Sequence, residues 1–311
     1  MDRKIPLAVV AGPTASGKTA LAIDIAKRFG GEIVSADSMQ IYKYMDIGTA
    51  KPTAEERSEC VHHLIDFVEP DQDFSVAQYT ELAHPVIAGI YERGHLPVMC
   101  GGTGLYINSV VDDVTFGKME SDEDMRAELR GIAEREGNER LIEMLAEVDP
   151  VSAKRLHPNN LRRVIRAIEF YRLTGVPISE HQEMTKQTES RYRPVMFCID
   201  HDREVLYERI NRRVGIMLEQ GLLNEVKRLM DMGFTAELNS MQGIGYKELF
   251  EYLDGRCSFE EAVENVKRGS RRYAKRQLTW FRRDKRIIML EPGTAAEKAA
   301  EVISREMPEF S

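Results

Sequence analysis

The sequence predicts an α/β fold, a parallel sheet with helices on both faces, into which a helical domain is inserted. Three observations carry this. Short runs rich in Val, Ile and Leu recur at 5–11, 32–36, 63–67, 96–100, 195–200 and 286–290, and runs that are apolar throughout suit strands covered on both faces. Helix-like stretches separate most of them at βαβ spacing. Between about 116 and 193 the strand-like runs stop, and amphipathic segments at 125–136, 140–147, 150–155 and 161–174 follow one another, the last ending at Gly175 before Pro177. The expected organisation is therefore an α/β core formed by 1–115 and 194–311, with 116–193 as the insertion. After the insertion, Gly233, Gly243, Gly245 and Gly255 punctuate further helices before the last strand. No internal repeat or low-complexity tract is visible.

At roughly 150 residues per domain, 311 residues suit two domains and a large buried core. With 42% hydrophobic and 30% charged residues the composition is that of an ordinary globular chain, neither fibrous nor disordered. The opening MDRKIPLAVVAGPTASG has no signal-peptide h-region, and apolar runs reach only about seven residues, so neither secretion nor membrane insertion is expected. Cys60, Cys100, Cys198 and Cys257 are scattered without a C-x-x-C pair, which fits reduced thiols in a cytoplasmic protein. The formal net charge of −8 hides an asymmetry. Residues 267–286 hold ten Lys or Arg and one acid, a net of +9, leaving −17 for the rest. Such a segment can bind a polyanion, although a solvated helix face is the alternative.

The first strand runs into Gly12, Pro13, Thr14, Ala15, Ser16, Gly17, Lys18 and Thr19, a complete G-x-x-x-x-G-K-[ST] match followed by a helix-like ALAIDIAKRF. In such a loop the backbone N–H groups meet phosphate oxygens at the helix N-terminus, Lys18 adds a point charge, and Thr19 offers a hydroxyl to Mg²⁺. The motif does not specify which phosphate ligand it holds. After the second strand, Asp37, Ser38 and Gln40 stand at its carboxyl end, where open α/β sheets bind ligands; a lone Asp there is otherwise an N-cap or turn residue. Gly101, Gly102 and Gly104 follow the fourth strand at the same edge, with Thr103 the only polar side chain among them, so they form either a site wall or a tight packing turn.

Arg209 and Arg213 are spaced i, i+4 on one helix face, suiting either a clamp for a leaving diphosphate or a solvated surface. His62 and His63 are adjacent and face opposite sides of a strand, which excludes a bidentate metal site and leaves turn or core roles. No His/Cys cluster has zinc spacing and no Ser or Cys nucleophile pattern appears. In the basic segment Val266, Tyr273, Ala274, Leu278 and Phe281 form a core stripe, while Arg268, Arg272, Lys275 and Arg276 share another face that can track a phosphate backbone. Trp280 reads as a buried residue, with base stacking as the alternative. Arg162, Arg163 and Arg166 make a smaller cluster whose alternative is an amphipathic packing helix.

Taken together, GPTASGKT, ADSMQIYKYMDIGTAKP, HHLID, FSVAQY, GGTGLY, HPNNLRRVIRAIE, ERINRRV, GIGYKE and AKRQLTWFR resemble, in order and spacing, the bacterial tRNA dimethylallyltransferases, also called tRNA isopentenyltransferases. The resemblance extends to about Arg283. It implies a P-loop kinase-like core and transfer of a dimethylallyl group from dimethylallyl diphosphate, with Mg²⁺, to the exocyclic amine of the adenine just 3′ of the anticodon. Residues Gly12 to Thr19 would cradle diphosphate, with Lys18 acting on it and Thr19 at the metal. Asp37 would be the general base, Thr103 would line the channel where base and donor meet, and Arg209 and Arg213 would clamp the leaving group. Contacts to tRNA are implied for Asp37, Ser38, Met39, Gln40, Thr103, Arg126, Leu161, Arg162, Arg163, Val164 and Ile165, so that the insertion grips the anticodon stem-loop. The implied partners are tRNA and dimethylallyl diphosphate, with no membrane, and the expected state is a monomer.

A nucleoside or small-molecule kinase is the enzymatic rival, because the P-loop and the arginine pair suit it equally. A non-catalytic RNA-binding module is a third reading. The chemistry of the first is coherent: a weakly nucleophilic aromatic amine needs a nearby base and strong stabilisation of departing diphosphate.

Overall fold

A computed structural model describes residues 4–114, 122–186 and 189–311. It divides into two compact units, one of Met1–Val111 with Arg191–Ser311, the other of Asp112–Ser190. The expected seam at 115/116 lies outside the described residues. At the other end, residues 192 and 193 belong to a core strand rather than to the insertion, because the strand begins at Tyr192, which is buried.

In chain order the elements are β1 (Ile5–Ala11), α1 (Lys18–Arg28), β2 (Gly31–Ser35), α2 (Ala54–Glu59), β3 (His62–His63), α3 (Val76–Glu92), β4 (Leu96–Gly101) and α4 (Gly104–Val111). The second unit holds α5 (Glu123–Glu136), α6 (Asn138–Val148), α7 (Pro150–Arg155), α8 (Leu161–Thr174) and α9 (Ile178–Lys186). The first resumes with β5 (Tyr192–Ile199), α10 (Arg203–Glu219), α11 (Leu222–Asp231), α12 (Tyr246–Leu253), α13 (Phe259–Phe281), β6 (Ile287–Leu290) and α14 (Ala295–Glu306).

Among the described residues six strands form one sheet, all parallel, in the order β3-β2-β4-β1-β5-β6. Leu7 to Ala11 are fully buried, as the uninterrupted apolar run of β1 requires of a strand covered on both faces. On one face α1 and α14 enclose Ile25, Val10, Phe197 and Ile303; on the other, α3 and α4 enclose Tyr79, Ile87, Val9 and Ile107. From β1 the chain passes to one side of the sheet for β2 to β4 and to the other for β5 and β6. The loops after β1, β2 and β4 thus meet at one carboxyl edge.

The expected strand at 63–67 shrinks to His62–His63. Leu64 and Asp66 have φ of 59° and 65°, a left-handed backbone that cannot continue a ladder. His63 serves neither as metal ligand nor as core: its Nε2 lies 2.6 Å from Glu32. Burial alone would raise the Glu32 pKa, but hydrogen bonds from Arg93, His63 and His95 prevail and hold it at about 2. A depressed carboxylate contributes stability above its unfolded pKa and loses it as pH falls through the folded value. The stability difference between wild type and Glu32→Gln, measured by urea unfolding, is therefore expected to narrow as pH falls from about 5 towards 2, by up to roughly 3 kcal/mol. A difference that stays constant across that window contradicts the assignment.

The second unit has its own core, including Leu129, Leu141, Leu145 and Val164, which gives the insertion the independent apolar centre of a domain. Among the described residues no helix is long and apolar enough to cross a membrane. All four cysteines are free; Cys100 and Cys198 are buried, Cys60 and Cys257 half-buried.

Candidate active site

The loop from Gly12 to Gly17 leaves β1 at the centre of the sheet and enters α1 at Gly17, whose φ of 94° gives the left-handed turn that aims the first helical N–H groups into the loop. Burial pushes the Lys18 ammonium pKa down; a nearby Arg213 adds to this and Asp37 opposes it. Its Nζ donates to Pro13 O at 3.3 Å. Ser16 Oγ is buried with no hydrogen-bond partner among the described residues, which leaves a donor to spare inside the cradle.

Two residues that the sequence reading missed hold this loop. His201 Nε2 lies 2.8 Å from Ser16 O, just after β5. Gln277 on α13 accepts from Thr14 N at 3.0 Å and donates to Gly102 O at 2.9 Å, tying the P-loop to the glycine loop after β4. In sequence, His201 is marked only by its place after a strand and Gln277 by no signal at all.

The ends of β2 and β4 are locked together. Ala36 N donates to Cys100 O and Thr103 N to Ala36 O. The approach is close enough that a Cβ on Gly101 would stand 2.1 Å from Ala36 O, so glycine is required there. Asp37 follows, its Oδ1 accepting from Met39 N at 2.9 Å in a local turn. Thr103 Oγ1 accepts from Ser38 N at 3.0 Å and donates to Ser38 Oγ at 3.2 Å. Thr103 Oγ1 is thus engaged with Ser38, which borders the smaller of the two cavities at this edge. Gln40 is likewise engaged within the protein, with Ser35 Oγ at its oxygen and Thr49 O and Ala50 O at its nitrogen.

Two cavities meet at Lys18 and Arg213. The larger, about 880 Å³ and open, adds Thr19, Arg209 and Arg212. The smaller, about 310 Å³, brings Asp37, Ser38, Met39 and Thr14 together with apolar side chains of α10, α11 and α13. Arg209 and Arg213 thus share a face of α10 turned to this site, where Arg209 Nε donates to Ala15 O at 2.8 Å. Burial lowers the Arg213 pKa, against the attraction of Asp37 and Glu56. Tyr273 was read as core, yet it lines the smaller cavity, and burial pushes its hydroxyl up to about 12 with the Asp37 carboxylate adding to the shift. One cavity is therefore a cationic anion cradle, and the other pairs a carboxylate with an apolar enclosure.

The remaining residues singled out from the sequence sit as follows. Trp280 is 42% exposed, not buried, with its ring over Gly104 and Nε1 facing Asn108. Arg268, Arg272, Lys275 and Arg276 form an exposed face of α13. In the second unit Arg162 and Arg163 are exposed, while Arg166 pairs with buried Glu169 at 2.9 Å. Arg126 is held by Glu169 and Glu123. Val164 and Ile165 are buried in the core of that unit, so their side chains pack rather than reach RNA.

Comparison with known proteins places this geometry in a family. The IPP transferase family model matches residues 40–284, and the isopentenyl transferase model matches 5–66. A tRNA dimethylallyltransferase of Acetivibrio thermocellus is 53% identical over 282 residues, 91% of this chain and 90% of that protein. One from Caldanaerobacter subterraneus is 52% identical over 280 residues, 89% of each. The solved tRNA isopentenylpyrophosphate transferase of Bacillus halodurans has 44% identity and a TM-score of 0.73 over 98% of both chains. A eukaryotic dimethylallyltransferase, captured acting on tRNA, has 29% identity and a TM-score of 0.85 over 98% of this chain and 79% of its own. These relatives carry the names of tRNA dimethylallyl- and isopentenylpyrophosphate transferases, which counts against the kinase reading. A P-loop joined to a carboxylate and an arginine pair, and a family model spanning most of the chain, make this protein a member of the tRNA dimethylallyltransferase family.

Proposed function

We propose that the chain transfers a dimethylallyl group from dimethylallyl diphosphate to the exocyclic amine of the adenine immediately 3′ of the anticodon, releasing diphosphate. The single observation that carries this reading is that Asp37, Lys18 and Arg213 border one small cavity with an apolar wall, and that Lys18 and Arg213 also border a cationic one. An allylic tail suits the first and a diphosphate the second. The adenine nitrogen attacks the allylic carbon bonded to oxygen, that carbon–oxygen bond breaks, and the amine proton passes to the Asp37 carboxylate. Lys18, the N–H groups at the start of α1 and the two arginines take up the charge that gathers on the leaving diphosphate. Ser38 and Met39, which line the same cavity as Asp37, would position the base, which an anticodon loop can extrude at modest cost.

Mg²⁺ fits these residues only as a companion of the diphosphate. Among the described residues no cluster of three His, Cys, Asp or Glu side chains is placed to hold a metal, whereas Thr19 borders the cationic cavity with its hydroxyl free for a single coordinate bond. Bound there, the ion would neutralise diphosphate charge.

Incubation with dimethylallyl diphosphate, Mg²⁺ and unmodified tRNA, followed by mass spectrometry of the nucleosides, tests the reading. Prenylated adenosine next to the anticodon is the expected product; a stoichiometric requirement for ATP would overturn it. Binding of tRNA is also expected to weaken steeply with salt despite the acidic chain, since several phosphates are neutralised by the exposed arginines. Replacing Arg162 and Arg163 together by Ala should reduce the slope of log affinity against log salt by about one to two, close to 0.9 per lost phosphate contact. An unchanged slope removes this pair from the RNA surface.

A further inference from the structure

Between β2 and α2 the chain makes a loop without regular structure, and that loop supplies wall to both cavities. Asp46, Ile47, Ala50 and Lys51 face the larger, Gly48 and Thr49 the smaller. The loop bonds to itself in places, Lys51 N donating to Asp46 O and Ala50 N to Ile47 O, but these bonds do not account for all of its shape. Tyr44 and Ala50 have φ of 65° and 49°, conformations that persist in non-glycine residues only where neighbours impose them. The N–H groups of residues 46–48 have no ladder or helix partner and need an acceptor from elsewhere.

That acceptor is Glu225, in the first turn of α11 and 5% exposed. Its Oε2 accepts from Asp46 N and Ile47 N, both at 2.9 Å, and its Oε1 from Gly48 N at 3.1 Å and from Tyr246 Oη at 2.6 Å. Three successive amides turned on one carboxylate form an anion nest, and the helix N-terminus adds to its favourable field. The Tyr246 ring in turn borders the smaller cavity and lies against the loop backbone, where a Cβ on residue 48 would stand 2.5 Å from it. Buried Lys51 ties the loop to itself and to Asp66, donating to Asp46 and Asp66 at 2.7 Å and to Tyr42 O at 2.6 Å. The carboxylate thus fixes, at one point, the loop shared by the two cavities and one ring of the apolar wall.

We propose that Glu225 is a positioning residue for the prenyl donor, holding the 46–48 backbone and Tyr246 so that the wall spanning the two cavities aligns diphosphate and allyl tail toward Asp37. The inference rests on the dimethylallyl-transfer reading above. Glu225 does not touch the reacting atoms; it acts through the loop and the ring.

Steady-state transfer to unmodified tRNA, with dimethylallyl diphosphate and tRNA varied in turn well below the melting temperature, tests it. Glu225→Gln keeps the size but presents an NH₂ to donors that need an acceptor, so the KM for dimethylallyl diphosphate should rise about tenfold or more while the KM for tRNA stays within about twofold. Tyr246→Phe removes one donor and leaves the fold intact, and should raise the same constant by about threefold. Glu225→Asp, which retains the charge, should lie between Gln and wild type. An unmoved donor KM, or equal rises for donor and tRNA, overturns the inference; should the Gln variant not fold, the Phe variant decides alone. An inactive wild type would instead remove the reading of the reaction, whereas an active wild type with these constants unmoved removes only the role of Glu225.

Discussion

Asp37→Asn is expected to lose a factor of about 10² to 10⁴ in the rate of prenyl transfer, or about 3 to 5 kcal/mol of transition-state stabilisation, with little change in tRNA affinity. The structure makes Asn a clean probe. The turn after β2 depends on Asp37 Oδ1 accepting from Met39 N, and an amide oxygen accepts that bond equally well. What the amide cannot do is take the amine proton as the carbon–nitrogen bond forms. Asp37→Ala, which loses the turn as well, should be no more active and somewhat less stable. If Asp37 served only the turn, Ala would cost about 1 kcal/mol of stability and Asn almost nothing in rate. Single-turnover rates at saturating tRNA and donor separate the two, since an Asn variant within about threefold of wild type would exclude Asp37 as the base.

The parts of this site that lie along one stretch of chain were legible in the sequence, and the parts that depend on distant partners were not. Residues Gly12 to Thr19 announce a phosphate cradle because glycines, lysine and hydroxyl must fall at fixed spacing between a strand and a helix. The sheet was legible because β1, β2, β4 and β5 are mainly apolar runs covered on both faces and the edge strand β6 is apolar in composition. The run at 63–67 is less apolar, and Leu64 and Asp66 take left-handed conformations that no periodicity reveals, with Asp66 paired to Lys51. Val164 and Ile165 were carried over within a block of contiguous residues; the helical period that puts them beside Leu129 and Leu141 overrides such a block. Gln277, His201 and Glu225 act on partners 175, 185 and 178 residues away, and a polar residue on an amphipathic helix, like Gln277 and Glu225, or in a loop, like His201, reads as surface until its partner is known. Trp280 failed in the other direction, since aromatic size suggested core whereas the ring lies exposed over Gly104.

Arg213→Ala is expected to lower the transfer rate by about 10² to 10³, and Arg209→Ala by much less, although the two arginines occupy the same face of α10 one turn apart. Their environments decide the difference. Arg213 borders both cavities and is desolvated enough to have its pKa lowered, so its field on a departing diphosphate is weakly screened. Arg209 is exposed, borders only the open cavity, and has its Nε committed to Ala15 O, where it braces the P-loop. Its remaining donors act through water and salt. Arg213→Lys should recover only part of the loss, because an ammonium supplies the charge without the planar fork. The comparison calls for single-turnover rates and for inhibition by diphosphate, at low and at 0.5 M salt. The Arg209 variant should come closer to wild type as salt rises, since screening removes the charge that Arg209 contributes though not its bond to Ala15 O, while the deficit of the Arg213 variant should persist. Equal deficits for the two variants at both salt concentrations would show that the clamp is symmetric and that burial does not govern it.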